Sequence, residues 1–596
     1  MPDLSLIAPL GSGTATACPV SVQYDVLPPE DVVPVPRTSA SQERMEIALD
    51  HKQAMLDRLA GLHPDAVVIP PGEGARTATL EAIAAHAPLI LGPVIPQDLV
   101  GRRRGNPAAL LRLDGGYAPI IVKSHGVTSE KPGRTSVGST LEAPADLVEH
   151  ADTIWSNARS AQDVPILAHF WRMLEAAGIA ATTPRGAVLD RSERLWWVDL
   201  TDALLDSYDH EFGLRRDIAL ATVTAAPGAP RAALPYRIRA CETCRWQPFC
   251  AAELAAADHL SLLGGFQQSW FATFERHGIV TRRAVAGLDR RTAEILDALT
   301  PGMLAQVQAG EGELDEVLEK KPGLLASLAK DGITTVVALR DSFDPTTLAL
   351  SAACRSTLPG LIDLARAVVT GGHHRRRGSG ALKLPAEVVE VDVDMESTSE
   401  GQTYLWGMYT SVDGAAPVYE PVDSYDETTD LVEAEVFVRF WARLAELRAQ
   451  AEARGGALRA YHWTAAELTV MRRIVRKAAT PEVPSLADLD AVIQAEWVDL
   501  ATVWDRHVLS AHGKALKAVA SSIGHAWEEG ETGGDFSMLQ HQLAVAGTPD
   551  ERAEAIRWLR QYNADDVEAT YEVRSWLREN LAQAPRIEDW TAPAPR

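Results

Sequence analysis

The sequence predicts an α/β protein of several domains, and three observations carry that reading. The chain has 596 residues, and at about 150 residues per domain three or four domains are expected. The stretch AEVVEVDVDMESTSEGQTYLWGMYTS alternates with period two, the signature of a strand, whereas RWLRQYNADDVEATYEVRSWLREN near the end reads as a helix. Between a helical region of 258–370 and that strand lies GGHHRRRGSGALKLP, Gly-rich, basic and poor in apolar residues. It reads as an exposed linker over 371–384, with Pro385 opening the next domain, 385–596. The first domain is expected over 1–257.

Composition bounds the function classes. Hydrophobic residues make up 46% and charged residues 23%, enough apolar surface to offset chain entropy and exclude wholesale disorder. No apolar run reaches the roughly 18 residues needed to span a bilayer. The opening MPDLSLIAPLGSGTA lacks a basic stretch followed by an apolar one, so a secretory signal is not expected and a cytoplasmic place without membrane attachment is. The net charge of −24 excludes a non-specific DNA coat, but not phosphate contacts through local basic patches. It also suits a site that collects carboxylates around metal.

Five cysteines are present: Cys18, Cys241, Cys244, Cys250 and Cys354. Three form CETCRWQPFC, and Cys18 lies far upstream in ATACPVSVQYD. Clustered thiols in a cytosolic chain read first as metal ligands, for zinc or an iron–sulfur cluster, with small buried apolar side chains as the alternative. Cys354, in TLALSAACRSTL, reads as core. A lone early Cys with a late C-x2-C-x5-C resembles the iron–sulfur staple of RecB-like nucleases. That resemblance implies a restriction-endonuclease-type α/β domain whose ends are tied by a [4Fe–4S] cluster on Cys18, Cys241, Cys244 and Cys250. It also implies a DNA substrate and a possible helicase partner.

The same resemblance assigns further positions. His51, in the amphipathic SQERMEIALDHKQAMLDRL, falls at the place of a metal-binding histidine. Gly105 matches the first residue of GxxD, but Ala108 stands at the Asp. Lys123 matches the Lys of ExK, but Ile121 stands at the carboxylate. Ile166 and Phe170 occupy the Gln and Tyr of QxxxY. Two-metal hydrolysis needs anionic oxygens on hard cations, so this centre reads as degenerate, with His51 and Lys123 as vestiges. Asp114, in LDGGY, reads as a hairpin-turn residue rather than a displaced ligand. Arg102, Arg103 and Arg104, near Lys123 and His125, form a basic run with which the domain could still grip nucleic acid.

The middle region resembles helix-hairpin-helix elements, although Gly265-Phe266-Gln267 lacks the second Gly of the usual hairpin. KDGITTVVAL echoes RHGIVTRRAVAGL and suggests a degenerate repeat. Plain helical packing explains these stretches equally well.

The alternating strand places Val389, Val391, Val393 and Met395 on one face and Glu390, Asp392, Asp394 and Glu396 on the other. Four like charges on one face repel unless solvent or cations intervene. In the late helix, Tyr562 and Asp566 are four apart and share a face. Together Asp394-x-Glu396 and Tyr562-x3-Asp566 resemble the DEDD exonucleases of the RNase H-like fold, in their YprB-like form. That resemblance implies two Mg2+ or Mn2+ ions on Asp394, Glu396, Glu467 and Asp566, with Tyr562 orienting the attacking water. It implies 3′–5′ hydrolysis of single-stranded DNA or RNA ends. His462 and Glu467 stand at the family's Asn and Asp spacing, Asp499 at a helix start, and Asp392 as a possible extra ligand. Asp565 should point about 100° away from Asp566 on the helix. The rival reading is a non-catalytic nucleic-acid-binding or assembly protein with both centres degenerate.

Overall fold

The computed structural model describes residues 3–29, 32–36, 39–343, 350–398, 401–478, 482–527 and 534–592. The chain divides into two compact units, Met1–Ala252 and Glu253–Arg596. Among the described residues no helix is long and apolar enough to cross a membrane.

The first unit is built on an eight-stranded mixed sheet of order β1-β2-β3-β4-β7-β8-β5-β6. Its strands are β1 (Val67–Val68), β2 (Leu89–Leu91), β3 (Ala109–Leu113), β4 (Gly116–Val122), β5 (Thr128–Thr140), β6 (Val148–Trp155), β7 (Arg185–Leu189) and β8 (Arg194–Asp199). β3 and β4 form an antiparallel hairpin closed by Asp114 and Gly115, both at positive φ. Such a turn matches the twist of the flanking strands, so Asp114 is the turn residue its sequence suggested. Helix α3 (Asn157–Ala176) connects β6 to β7, and β7 runs parallel to β4. The sheet's two faces are covered by apolar clusters, one containing Trp171 and Phe212, the other Leu59 and Trp197. Further helices are α1 (Pro19–Val26), α2 (Ser39–Leu62), α4 (Asp202–Thr224) and α5 (Gln247–Ala256).

The second unit opens with short helices and ends its helical part on α6 (Ala352–Thr370). The suspected repeat is visible here. Gly278 and Gly332, both at positive φ, each follow a helix. Three residues later Thr281 and Thr335 cap the next helices, accepting from Ala284 N and Ala338 N. Each turn thus uses Gly where L residues are strained and Thr where orphan N–H groups need an acceptor. Phe266 of the irregular hairpin packs edge-on against Trp270 and Phe274. Cys354 is fully buried in the same apolar cluster, as expected.

The stretch 371–384 is not the exposed linker its composition suggests. Gly371 and Gly372 turn the chain at positive φ into β9 (His373–Arg375), which pairs antiparallel with β15 (Val508–Ser510). His374 is buried, Arg376 donates to Asp505 at 2.9 Å, and Arg377 pairs with Asp363. A strand edge and two carboxylates satisfy backbone and charge that would otherwise stay in water.

The remaining sheet has five strands in the order β12-β11-β10-β13-β14. They are β10 (Val389–Ser397), β11 (Thr403–Val412), β12 (Val418–Asp423), β13 (Leu458–His462) and β14 (Trp497–Asp499). β10 is central, antiparallel to β11 and parallel to β13. Its valines, with Trp406 and Met408 of β11, face an apolar core closed by α7 (Asp430–Ala453), which contributes Phe437 and Phe440. On its other side lies α11 (Pro549–Asn580), a 32-residue helix started by Pro549 and a Thr548–Glu551 capping box. Shorter helices α8 (Ala466–Lys477), α9 (Leu500–His507) and α10 (Leu516–Ile523) bring further side chains to the same end of the sheet.

Candidate metal centre

Two periodicities meet between β10 and α11. Side chains on one face of a strand recur about every 6.8 Å, and helix positions four apart recur about every 6 Å. Tyr562, Asp566, Thr570, Arg574 and Arg578 therefore form a stripe whose spacing nearly matches Glu396, Asp394, Asp392 and Glu390. At the lower end the match is between opposite charges. Fully buried Asp392 accepts two bonds from Arg574, at 3.0 and 2.6 Å. Glu390 accepts from Arg574 at 2.8 Å, from Arg578 at 2.5 and 3.0 Å, and from Tyr461 Oη at 2.8 Å. Asp392 is thus not the extra ligand considered from the sequence, because a guanidinium already saturates both its oxygens.

At the upper end carboxylate meets carboxylate. Asp394, Glu396 and Asp566 each offer an oxygen within 4.8 Å of the others, the one such group of three metal-ligating side chains among the described residues. Burial, then Asp566 and Glu396, push the Asp394 carboxyl well above its usual range. Burial and Asp566 push Glu396 up to about 8, against Lys517 and a bond from Asn563. Burial also raises Asp566, although Lys517 and Trp527 pull the other way. Three desolvated like charges this close are stable only when protonated or shared by cations. The donor set is all oxygen, as hard divalent cations require.

Glu467, in the first turn of α8, is only 4% exposed and adds its charge to Asp394, but it lies outside the group of three. Its Oε2 is buried without a hydrogen-bond partner among the described residues and faces His462 Nδ1 at 3.4 Å. A buried orphan oxygen beside the cluster is a position that a cation or water would satisfy. Asp565 turns away from the cluster and accepts from Gln561 at 2.8 Å, as the helical angle requires. Asp499 caps α9, accepting from Thr502 N at 2.9 Å.

Four supporting residues escaped sequence reasoning. Asn563, fully buried, donates to Asp394 Oδ2 at 2.9 Å and accepts from Tyr419 Oη at 3.0 Å. It fits because β11 carries Gly407 opposite Asp394; a Cβ there would overlap the Asn563 amide. Trp527 Nε1 donates to Asp566 Oδ1 at 2.8 Å. Lys517 Nζ donates to Tyr562 Oη at 3.0 Å. Tyr562 and Asp566 were legible as a helix face, but Asn563 between them was not, and Gly407 and Trp527 are sequence-distant and show no local signal.

The first unit holds its assigned residues differently. Ala108 and Ile121 are buried apolar side chains. Lys123, at the end of β4, pairs with buried Asp163 at 3.0 Å, and His125 lies 3.3 Å from the other Asp163 oxygen. Asp163, on α3, was not singled out from the sequence. His51 lies on α2 with a buried Nε2 lacking a hydrogen-bond partner among the described residues. The basic run is split. Arg103 is locked by Asp98, Asp209 and the Tyr208 hydroxyl, and its guanidinium lies 5.0 Å from the Phe212 ring centroid. That makes Arg103 a structural crosslink rather than a free phosphate contact. Arg102 sits at positive φ, and Arg104 lines a cleft of about 340 Å³ with Arg76.

The four expected thiols gather at one place. Cys18 caps α1, Cys241 lies in a 3-10 turn that Cys244 closes, and Cys250 sits on α5. Cys18, Cys244 and Cys250 pack against the same buried cluster of Val20, Tyr24, Ala233 and Trp246. Burial raises the Cys244 thiol, with further pushes from Cys18 and Cys241. Ile238 N donates to Cys241 Sγ at 3.4 Å.

No curated protein and no solved structure matches the chain. Residues 392–578 match the family model RNase_H_2, of the RNase_H superfamily. The match begins at Asp392 of β10 and ends at Arg578 of α11, so the two elements that build the carboxylate group bound an RNase H-like domain.

Proposed function

We propose that the RNase H-like domain is a metal-dependent 3′–5′ exonuclease acting on single-stranded DNA or RNA ends. The observation that carries this reading is the close group Asp394, Glu396 and Asp566, buried or half-buried and paired with no arginine among the described residues, while its strand neighbours each have one. Asp394, Glu396 and Asp566, with Glu467 beside them, would hold two Mg2+ or Mn2+ ions. When bound, such ions neutralise charge on the phosphate and acidify the attacking water. The chain's own residues set the geometry. Asn563 fixes the Asp394 carboxylate and Trp527 fixes Asp566. Tyr562 keeps its hydroxyl hydrogen to direct at the water, since Lys517 occupies only an oxygen lone pair.

The first unit is proposed as a RecB-like pseudo-nuclease. Its β3–β4 hairpin, α3 and parallel β7 support that fold, and buried Ala108 and Ile121 remove two ligands from its centre. Cys18, Cys241, Cys244 and Cys250 would hold a [4Fe–4S] cluster, tying the helix at the start of the unit to the segment at its end. Existing bonds already join them: Trp246 Nε1 to Asp25 at 2.8 Å, and Arg231 to Tyr24 Oη at 2.7 Å. Visible absorbance with about four iron and four sulfide per chain is the expected result; one zinc would refute it. Arg102 and Arg104 would contact nucleic acid, and a helicase is the partner type this role would serve.

The test is Mn2+-dependent digestion of end-labelled single strands, blocked at the 3′ or the 5′ end, by the wild type, Asp394→Ala and Asp566→Ala. Activity on 5′-blocked strands alone, lost in both variants, supports the proposal. Equal digestion by the variants refutes it. A second reading, a nucleic-acid-binding subunit without hydrolysis, draws on Glu467 lying outside the group of three. Strand binding without Mn2+-dependent digestion would favour it.

A further inference from the structure

Lys517 stands at the edge of the carboxylate group and is none of its ligands. α10 presents it half-buried, anchored by Val519 and Ala520, which are fully buried. Its ammonium donates to Tyr562 Oη at 3.0 Å and lies 4.6 Å from the Tyr562 ring centroid and 5.5 Å from that of Trp527. Trp527 is the residue that holds Asp566. The Tyr562 ring is stacked on Trp558, centroids 5.1 Å apart and planes 14° from parallel. Tyr562 is therefore clamped twice, by a ring on its plane and by an ammonium on its oxygen. The positive charge of Lys517 acts on both Glu396 and Asp566.

We infer that Lys517 is a positioning residue with two linked tasks, fixing the Tyr562 hydroxyl and balancing part of the cluster's negative charge until divalent cations take it over. This rests on the metal centre proposed above. The tasks separate by chemistry. An ammonium beside anionic ligands lowers their affinity for a cation, because like charges repel across the shared site. The same ammonium accepts nothing and donates along a defined direction, leaving the phenol one orientation for its hydrogen. Arginine would keep the charge but spread it over a planar fork that does not reproduce a single-point contact.

The experiment compares full-length wild type, Lys517→Met, Lys517→Arg and Tyr562→Phe by calorimetric titration with Mn2+ and by single-turnover digestion at saturating Mn2+. Loss of one unit charge beside a divalent ion should tighten Mn2+ binding by Lys517→Met on the order of ten-fold. Digestion by the same variant should fall by about 10- to 100-fold, the range for residues that orient a metal site's working groups. Tyr562→Phe should lose digestion comparably yet bind Mn2+ as wild type does. Lys517→Arg should keep wild-type Mn2+ affinity and lose part of the rate. A merely structural lysine would not strengthen metal binding when removed. The inference is overturned if Lys517→Met binds Mn2+ no more tightly than wild type, or digests as fast. Should the Met variant not fold, Lys517→Gln gives the same two readings. Wild type that binds no Mn2+ would instead sink the metal centre itself, a result distinct from either.

Discussion

The two halves of β10 carry the same residue types on the same face and come to opposite ends. Glu390 and Asp392 meet Arg578 and Arg574 and are neutralised within the protein. Asp394 and Glu396, two and four residues further on, meet Asp566 and pair with no arginine among the described residues. The change of partner occurs within about two turns of α11. Glu390 and Glu396 are alike in exposure, at 7% and 8%, while Asp392 is fully buried and Asp394 half-buried; the larger difference between the halves is the partner. A buried carboxylate paired with arginine serves the fold; a buried carboxylate facing others is an unpaid electrostatic cost that only a ligand relieves.

Exchanging one residue in each half should break the comparison in opposite directions. Asp394→Asn removes a ligand without a change of size, and should cost about 4 kcal/mol of transition-state stabilisation, a rate loss of about a thousand-fold. The same variant relieves repulsion, so its metal-free melting temperature should rise, as calorimetry will show. Arg574→Met works the other way. It strands Asp392 and Glu390 in the interior and should destabilise the domain by about 3–5 kcal/mol, read by urea denaturation. If Arg574→Met were as stable as wild type, the lower half would be as uncompensated as the upper one.

Gly407→Ala sharpens the boundary between the halves without touching a charge. Its Cβ would collide with the Asn563 amide that holds Asp394. Displacing an orienting group of this kind costs about 10- to 100-fold in rate or metal affinity. Digestion and Mn2+ titration of the variant should show that loss, while Gly380→Ala, between β9 and β10 with open space around it and no positive φ, should not.

What the sequence disclosed follows from the range of the interaction. The period-two strand and the four-residue spacing of Tyr562 and Asp566 are local patterns, and both face as expected. The choice of Asp566 over Asp565 came from the Tyr-x3-Asp pattern, which also puts Asp566 on the helix face of Tyr562. Asp392 misled because its partner lies 182 residues away, and nothing near it announces a guanidinium. Gly407 and Asn563 form one lock across strand and helix, invisible until the two are docked. The segment of 371–384 misled for a related reason: composition measures polarity, whereas β9 is held by a strand edge more than 130 residues later. Arg103 likewise looked free because Asp209 and Tyr208 belong to a distant helix.

The smallest expected effect is a pH dependence carried mainly by the upper half, although burial raises the Asp392 carboxyl of the lower half too, against the pull of Arg574. Glu396 titrates at about 8 in the folded protein, against about 4.3 in an unfolded chain. A carboxyl raised on folding contributes stability that is fully present below its unfolded value and is lost as pH rises through its folded value. Asp394 and Asp566 are shifted in the same direction. Metal-free protein should therefore melt at progressively lower temperature between about pH 4.5 and 8. Glu390, held below its usual range by Arg578, Arg574 and Tyr461 despite burial, contributes the opposite slope at lower pH. Divalent cations bind the ionised carboxylates, so Mn2+ should flatten the decline and raise the melting temperature most at high pH, with release of protons. Glu396→Gln should flatten it without metal. A decline that survives both Glu396→Gln and Asp394→Asn would place its origin outside the carboxylate group and remove the electrostatic distinction between the two halves of β10.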